Sequence, residues 1–283
     1  MSFPERTMLD FAKTGLEPYF VDEGFMLFNV DAVSLMKKLD RPTWDLTVTS
    51  PPYNIGKEYE TTKTLEEYTR WSSEWMNLVH ATTREDGTFW LNVGYTPIHH
   101  KAKALPLAYL LWGLTGFHFI QEVVWHYGAG VAGRKFFSPR NEKFLWFVKN
   151  FESYVFNLDD VRDPDVKYPN QFKNGRRKVN SLGKNPTDVW SFPKVTSGRS
   201  RSSVERTPHP AQFPEAVIER VVLASSNEGQ IVFDPFMGSG TTAVVSSRLG
   251  RLAVGAEIRK DYCKLAVDRY LKAKEQAGST LSI

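Results

Sequence analysis

The chain has 283 residues, 41% hydrophobic and 24% charged, with 36 Lys and Arg against 32 Asp and Glu. That length and mix suit one large α/β domain and exclude collagen-like or highly charged disordered chains. A single cysteine, Cys263, excludes an internal disulfide and a cysteine-built zinc cluster, and it fits a reducing, cytoplasmic setting.

The opening "MSFPERTMLDFAKTG" has no basic start followed by an apolar core, so a signal peptide is not expected. Residues 24–32, "GFMLFNVDA", read as a strand ending at Asp31, and "VSLMKKL" supplies a helical turn or two. "WDLTV" is the next strand, and it runs straight into "TSPPYN" at residues 49–54. Two prolines fix two φ angles and remove two backbone donors. Each also pushes its predecessor out of the helical region. The chain must leave this strand stiff and extended, with carbonyls that no sheet can use.

"TLEEYTRWSSEWMNLVHATT" spaces Tyr68, Trp71, Trp75 and Leu78 along one side of a helix, so Trp71 and Trp75 read as core. "DGTFWLNVG" is a turn and a strand. The most apolar window, residues 104–120, contains Pro106, Gly113, Gly116 and His118. It reads as a buried helix, a turn and the start of a strand rather than a membrane span. "FIQEVVWHYG" and "KFLWFVKN" are further strands. His99, His100, His118 and His126 lack metal-ligand spacing with acids and read as ordinary residues.

From residue 151 to 208 the character shifts to Asn, Ser, Gly, Pro and basic residues. Between residues 170 and 208 nine cations face two acids: Lys173, Arg176, Arg177, Lys178, Lys184, Lys194, Arg199, Arg201 and Arg206 against Asp188 and Glu205. Such a cluster is either a solvated loop or an arm that contacts phosphates. Regular structure then resumes. "PEAVIERVVLASS" is an amphipathic helix, "QIVFDPFMGSGTTAVVSSRLG" is strand, glycine turn and helix, "RLAVGAEI" is a strand, and "KDYCKLAVDRYLKAKEQ" closes the chain as a helix. Strands alternating with helices predict a mostly parallel sheet covered on both faces.

In the glycine turn, Gly238 and Gly240 let backbone approach a ligand without a Cβ in the way. No Lys precedes Thr241 and Thr242, so this is not a phosphate-binding loop of the nucleotide triphosphatase type. The next strand ends in Glu257, where an acid commonly holds a pair of ribose hydroxyls. A nucleoside-containing cofactor is therefore expected, and Asp234 beside the turn suits a positively charged one.

"TSPPYN" together with "DPFMGSGTT" resembles the DNA amino-methyltransferases that use S-adenosylmethionine. "NVDA", "HPAQFPEAVIERVVLAS" and "GRKFFSPRNEKFLWFVK" extend the resemblance over most of the chain. The catalytic segment precedes the cofactor turn, which is similar to the β-type order of that family. The resemblance implies a circularly permuted, seven-stranded, mostly parallel methyltransferase sheet forming one domain over residues 1–283, with residues 151–208 as an inserted target-recognition region. It implies Ser50, Pro51, Pro52 and Tyr53 as the catalytic loop. It implies cofactor contacts from Asp31, Ala32, Asp234, Phe236, Gly238, Ser239, Gly240, Thr241, Thr242 and Glu257. Lys173, Arg176, Arg177, Lys178, Lys184, Arg199 and Arg201 become candidates for DNA binding.

The implied partners are double-stranded DNA, a second copy as in dimeric relatives, and a cognate restriction endonuclease, with no metal and no membrane. Ser at position 50 favours cytosine N4 over adenine N6 by family association. Methylation at cytosine carbon 5 needs a cysteine nucleophile, and Cys263 lies far from any proline loop. Competing readings are an amino-methyltransferase acting on RNA or protein, a dehydrogenase-like nucleotide domain, and a non-catalytic DNA-binding module.

Overall fold

The computed structural model describes residues 11, 14–58, 60–130, 132–195, 203 and 205–280, the last three as backbone only. Arg199 and Arg201, two of the candidate DNA-binding residues, lie outside the described residues.

In chain order the first half contributes β1 (Phe20–Val21), β2 (Phe25–Phe28), α1 (Ala32–Met36), β3 (Trp44–Thr49), α2 (Leu65–Thr82) and β4 (Thr83–Val93). A small hairpin follows, β5 (Tyr95–Ile98) and β6 (Ala102–Pro106), then α3 (Ala108–Leu111), β7 (His118–His126) and β8 (Asn141–Val148). The basic region holds a two-stranded hairpin, β9 (Phe172–Lys173) with β10 (Arg176–Arg177), and a short strand β11 (Val189–Ser191). The last part is α4 (Glu215–Ser225), β12 (Ile231–Asp234), α5 (Thr241–Arg248), β13 (Leu252–Ala256) and α6 (Lys260–Thr280).

The main sheet runs β1-β2-β13-β12-β3-β4-β8-β7-β11. Only β1 and β8 oppose the common direction. The expected seven strands form its middle. The sheet reaches nine because β1 and β11 add to its two edges. Those strands have two and three residues, too few for alternation to show in sequence. The β5–β6 hairpin lies inside a stretch read as loop and helix.

Alternation along each strand sorts the core into two layers. Phe89 and Leu91 of β4 and Leu145 and Phe147 of β8 face α1 and α2, where Leu35, Met36, Trp75, Met76 and Val79 meet them. Trp90 of β4 and Phe144 and Trp146 of β8 face α4, against Val217, Ile218, Val221 and Val222. α6 covers the β2–β13 end of that second face through Cys263, Ala266 and Tyr270. A capping box starts α2: Thr64 Oγ1 accepts from the Glu67 N–H, and the Glu67 carboxylate accepts from the Thr64 N–H.

This arrangement decides where a ligand can sit. β12 leads through α5 to β13 on one side, and β3 leads through α2 to β4 on the other. Neighbouring strands whose connections part in this way leave a crevice beyond their carboxyl ends. The crevice here opens between Asp234 and Thr49, so the glycine turn and the proline segment flank it. No described helix is long and apolar enough to cross a membrane.

Candidate active site

A cavity of about 270 Å³ occupies that crevice. Its walls include Ser50, Pro51, Pro52 and Tyr53 from one corner and Phe236, Gly238, Ser239 and Thr241 from the other. Asp31, Ala32 and Glu257 close the far end. The two sequence-distant motifs therefore share one edge of one sheet and one space.

A buried carboxylate ties the corners together. Asp234 Oδ1 accepts from Thr49 Oγ1 at 2.6 Å and from the Phe236 N–H at 3.1 Å, and Oδ2 accepts from Thr242 Oγ1 at 2.7 Å. The residue is 1% exposed. Asp234 and Thr242, expected to touch the cofactor, stand behind the cavity wall instead. Burial pushes the Asp234 carboxyl up to about 6, offset in part by its three donors. A folded-state value above the unfolded one means that native protein holds the proton more tightly. Stability contributed here is therefore lost as pH rises from about 4 to about 6. We expect the melting-temperature difference between wild type and Asp234→Asn to shift in favour of the variant across that window and to be flat above it. Paired thermal denaturation in a pH series reads this directly.

Gly240 also lies outside the cavity. Its φ is +77°, and an added Cβ would come within 2.9 Å of Ala266 Cα on α6. Gly238, at φ +52°, does line the cavity, and its N–H donates to Glu257 Oε2 at 2.9 Å. The Arg259 N–H donates to Glu257 Oε1 at 2.9 Å. Burial raises the Glu257 carboxyl, while these backbone donors favour its charge. The pinned carboxylate keeps a second acceptor position on each oxygen for ligand hydroxyls. Asp31 caps α1, its Oδ1 accepting from the Ser34 N–H at 3.0 Å.

Aromatic side chains complete the far wall. Trp71 lines the cavity and lies 5.7 Å from the Phe236 ring, which itself meets Trp75 edge-on at 5.2 Å. Trp75 is fully buried, as expected, whereas Trp71 belongs to the site. Helical spacing assigned both to one stripe, and position along the helix separated them. His209 also lines the cavity, with its ring 4.5 Å from Tyr262, and burial lowers it to about 4. It is neutral at ordinary pH.

The corner formed by the proline segment is built as a hydrogen-bonded hub. Ser50 Oγ and Tyr53 Oη are 2.8 Å apart. Tyr53 Oη also lies 2.9 Å from Asn92 Oδ1 and 3.1 Å from Glu142 Oε2. Its ring packs on Gly94, where a Cβ would sit 2.8 Å from Tyr53 Cε2. The Tyr68 hydroxyl donates to the Pro52 carbonyl at 2.9 Å and so anchors the second proline. No hydrogen bond among the described residues engages the Pro51 carbonyl. Ser50 and Pro51 both line the cavity. Asn92, Glu142 and Tyr68 escaped sequence reading, since each is brought in by strand or helix packing from far along the chain.

The basic region divides. Lys173, Arg176, Arg177 and Lys178 are all exposed on the β9–β10 hairpin. Lys184 pairs with Asp163 at 3.1 Å at the base of that excursion. Lys194 has turned back towards the proline segment, 2.6 Å from Glu142 Oε1. Cys263 is fully buried in α6, and burial pushes its thiol up to about 12, so it cannot serve as a nucleophile towards a base.

The family described as DNA methylase, covering N6 and N4 amino-methylation, matches residues 44–268. The chain belongs to this family. It is 57% identical over 270 residues to the type II methyltransferase M.ScaI of Streptomyces caespitosus, covering 95% of this chain and 88% of that one. It is 30% identical to the DNA adenine methyltransferase YhdJ of Escherichia coli K12, covering 95% and 91%. Among solved structures, the cytosine-N4-specific PvuII DNA methyltransferase superposes with a TM-score of 0.69 over 90% of this chain and 89% of its own, at 18% identity. This DNA methylase therefore carries the same fold as that solved methyltransferase.

Proposed function

We propose that this DNA methylase transfers a methyl group to the exocyclic N4 of cytosine in duplex DNA. The reading rests on one observation: Ser50 and Pro51 line the same cavity as the glycine turn. The cavity suits S-adenosylmethionine. A pinned carboxylate at Glu257 matches a ribose diol, Trp71 and Phe236 offer faces for an adenine, and Gly238 leaves room where a side chain would intrude. When bound, that donor supplies a methyl already activated by its positive sulfur.

The protein's task is the acceptor. An exocyclic amino group is a poor nucleophile because its lone pair is delocalised into the ring. Two acceptors placed for its two N–H bonds favour a pyramidal nitrogen with its lone pair aimed at the methyl. Ser50 Oγ and Pro51 O are those acceptors, and both are fixed before the base arrives. The base must leave the duplex to reach them, and the Tyr53 ring offers a stacking face. Family association of Ser in the first position of the loop favours cytosine. Adenine N6 remains the second reading, because YhdJ, similar over nearly the whole chain, acts on adenine. Nucleoside mass spectrometry of plasmid DNA from a host without modification systems separates the two. We expect N4-methylcytosine. N6-methyladenine alone would replace the first reading with the second.

The β9–β10 hairpin would bind phosphates, and the chain would act beside a cognate restriction endonuclease, as type II methyltransferases do. Replacing Arg176 and Arg177 together with Gln should weaken DNA binding for any sequence. The slope of log K against log salt should fall by about 1.8, since each phosphate contact contributes about 0.9. Fluorescence anisotropy in a salt series measures it.

A further inference from the structure

The hub at Tyr53 has a direction. A phenolic hydroxyl has one proton to donate. Two of its neighbours, Asn92 Oδ1 at 2.9 Å and Glu142 Oε2 at 3.1 Å, can only accept. The Asn92 oxygen is assigned by its amide nitrogen, which faces the Lys143 carbonyl at 3.4 Å. The Tyr53 proton must therefore point away from Ser50, and Ser50 must be the donor across the 2.8 Å contact. Both lone pairs of Ser50 Oγ are then left for the cavity. Without the acceptors behind Tyr53, the Ser50 hydroxyl could turn its proton inward and repel the amino hydrogen it is meant to receive.

Glu142 is held for this task. It is the second residue of β8, opposite the carboxyl end of β4. Lys194 Nζ lies 2.6 Å from its Oε1, leaving Oε2 for Tyr53. The Tyr127 hydroxyl is 3.5 Å from Oε1. Lys194, Tyr127 and Tyr53 are the titratable groups that face it, since Lys143 beside it on β8 is turned to Glu122. The carboxylate keeps 12% side-chain exposure, enough for exchange with solvent.

We propose that Glu142 orients the hydrogen bonds of this chain and receives, through Ser50 and Tyr53, the proton that the methylated amino group must lose. The inference rests on the amino-methyltransferase reading above and holds for cytosine or adenine. The lone pair of the amino nitrogen forms the new N–C bond as the methyl–sulfur bond breaks, and that bond's pair stays on sulfur. The nitrogen is left cationic with one proton too many. That proton passes to Ser50 Oγ, the Ser50 proton to Tyr53 Oη, and the Tyr53 proton to Glu142 Oε2. Charge balances at each hand-over, and solvent takes the proton from Glu142 afterwards. Glu142 acts through Ser50 and is a positioning residue.

The test is a double-mutant cycle of Glu142→Gln and Tyr53→Phe, the second of which keeps the stacking ring. Each should lower the single-turnover methylation rate about 100-fold at neutral pH, within the range of general-base contributions. Titration calorimetry should find cofactor and DNA affinities unchanged. The double variant should be no slower than either single one, because both cut the same path. In the protein without cofactor, at neutral pH, the 13Cζ resonance of Tyr53 should move between wild type and Glu142→Gln, because the variant removes the carboxylate that accepts from its hydroxyl.

A wild-type rate in Glu142→Gln would overturn the proposal, as would multiplicative losses in the double variant. Should Glu142→Gln fold poorly with Lys194 unpaired, Glu142→Gln with Lys194→Met is measured instead, with the same expectations. Absence of any methylation by wild type would overturn the functional reading itself, whereas intact methylation with an indifferent Glu142→Gln would overturn only the relay.

Discussion

Ser50→Ala should lower single-turnover methylation about 100- to 1,000-fold while leaving cofactor affinity intact. The magnitude is that of removing one preorganised hydrogen-bonding group aimed at a developing charge. Ser50 lines the cavity, and the bond of its hydroxyl to Tyr53 fixes where that hydroxyl sits. Alanine deletes the acceptor and leaves the turn, since Pro51, Pro52 and the Tyr68 anchor to the Pro52 carbonyl remain. Single-turnover quench assays with calorimetry of cofactor binding separate the two effects. An unchanged rate would remove Ser50 from the site.

Gly238→Val should abolish measurable cofactor binding, at least a 100-fold loss by calorimetry. A β-branched residue at φ +52° is strained by roughly 1–2 kcal/mol. Its Cβ would also stand 3.1 Å from His209 Nε2, inside the cavity wall. Gly240 offers the contrast. It faces the Ala266 backbone rather than the cavity, so Gly240→Ala should cost stability, roughly 1–3 kcal/mol from overpacking alone, with cofactor affinity in the surviving folded protein little changed. Normal binding by Gly238→Val would detach the glycine turn from the cofactor.

The sheet and both corners were readable from sequence because local chemistry dictates them. Two adjacent prolines after an apolar run, and two glycines between a strand and a helix, each leave the backbone few options. Order along the chain then placed them on neighbouring strands. What was hidden depends on packing across strands. Glu142 and Asn92 are 50 residues apart in sequence and 39 or more from Tyr53, yet adjacent strands bring all three together. Nothing local distinguishes that Glu from a surface acid at a strand end. Asp234 has a structural role that its local sequence does not show. Its place beside the glycine turn suggested a ligand contact, whereas the fold uses it as the knot between β12 and β3. Trp71 kept the helical spacing of core residues and still reached the cavity, because it lies in the first half of α2, which lines the cavity with Tyr68, whereas Trp75, Met76 and Val79 farther along are core.

A ternary crystal structure with S-adenosylhomocysteine and a duplex carrying the target site tests the meeting of base and methyl donor most directly. The account predicts one base swung out of the helix, its amino nitrogen within hydrogen-bond distance of Ser50 Oγ and Pro51 O, its ring on Tyr53, and the sulfur facing it from beside Gly238. A base still stacked in the duplex, or an extruded one whose amino group lies away from Ser50, would contradict it.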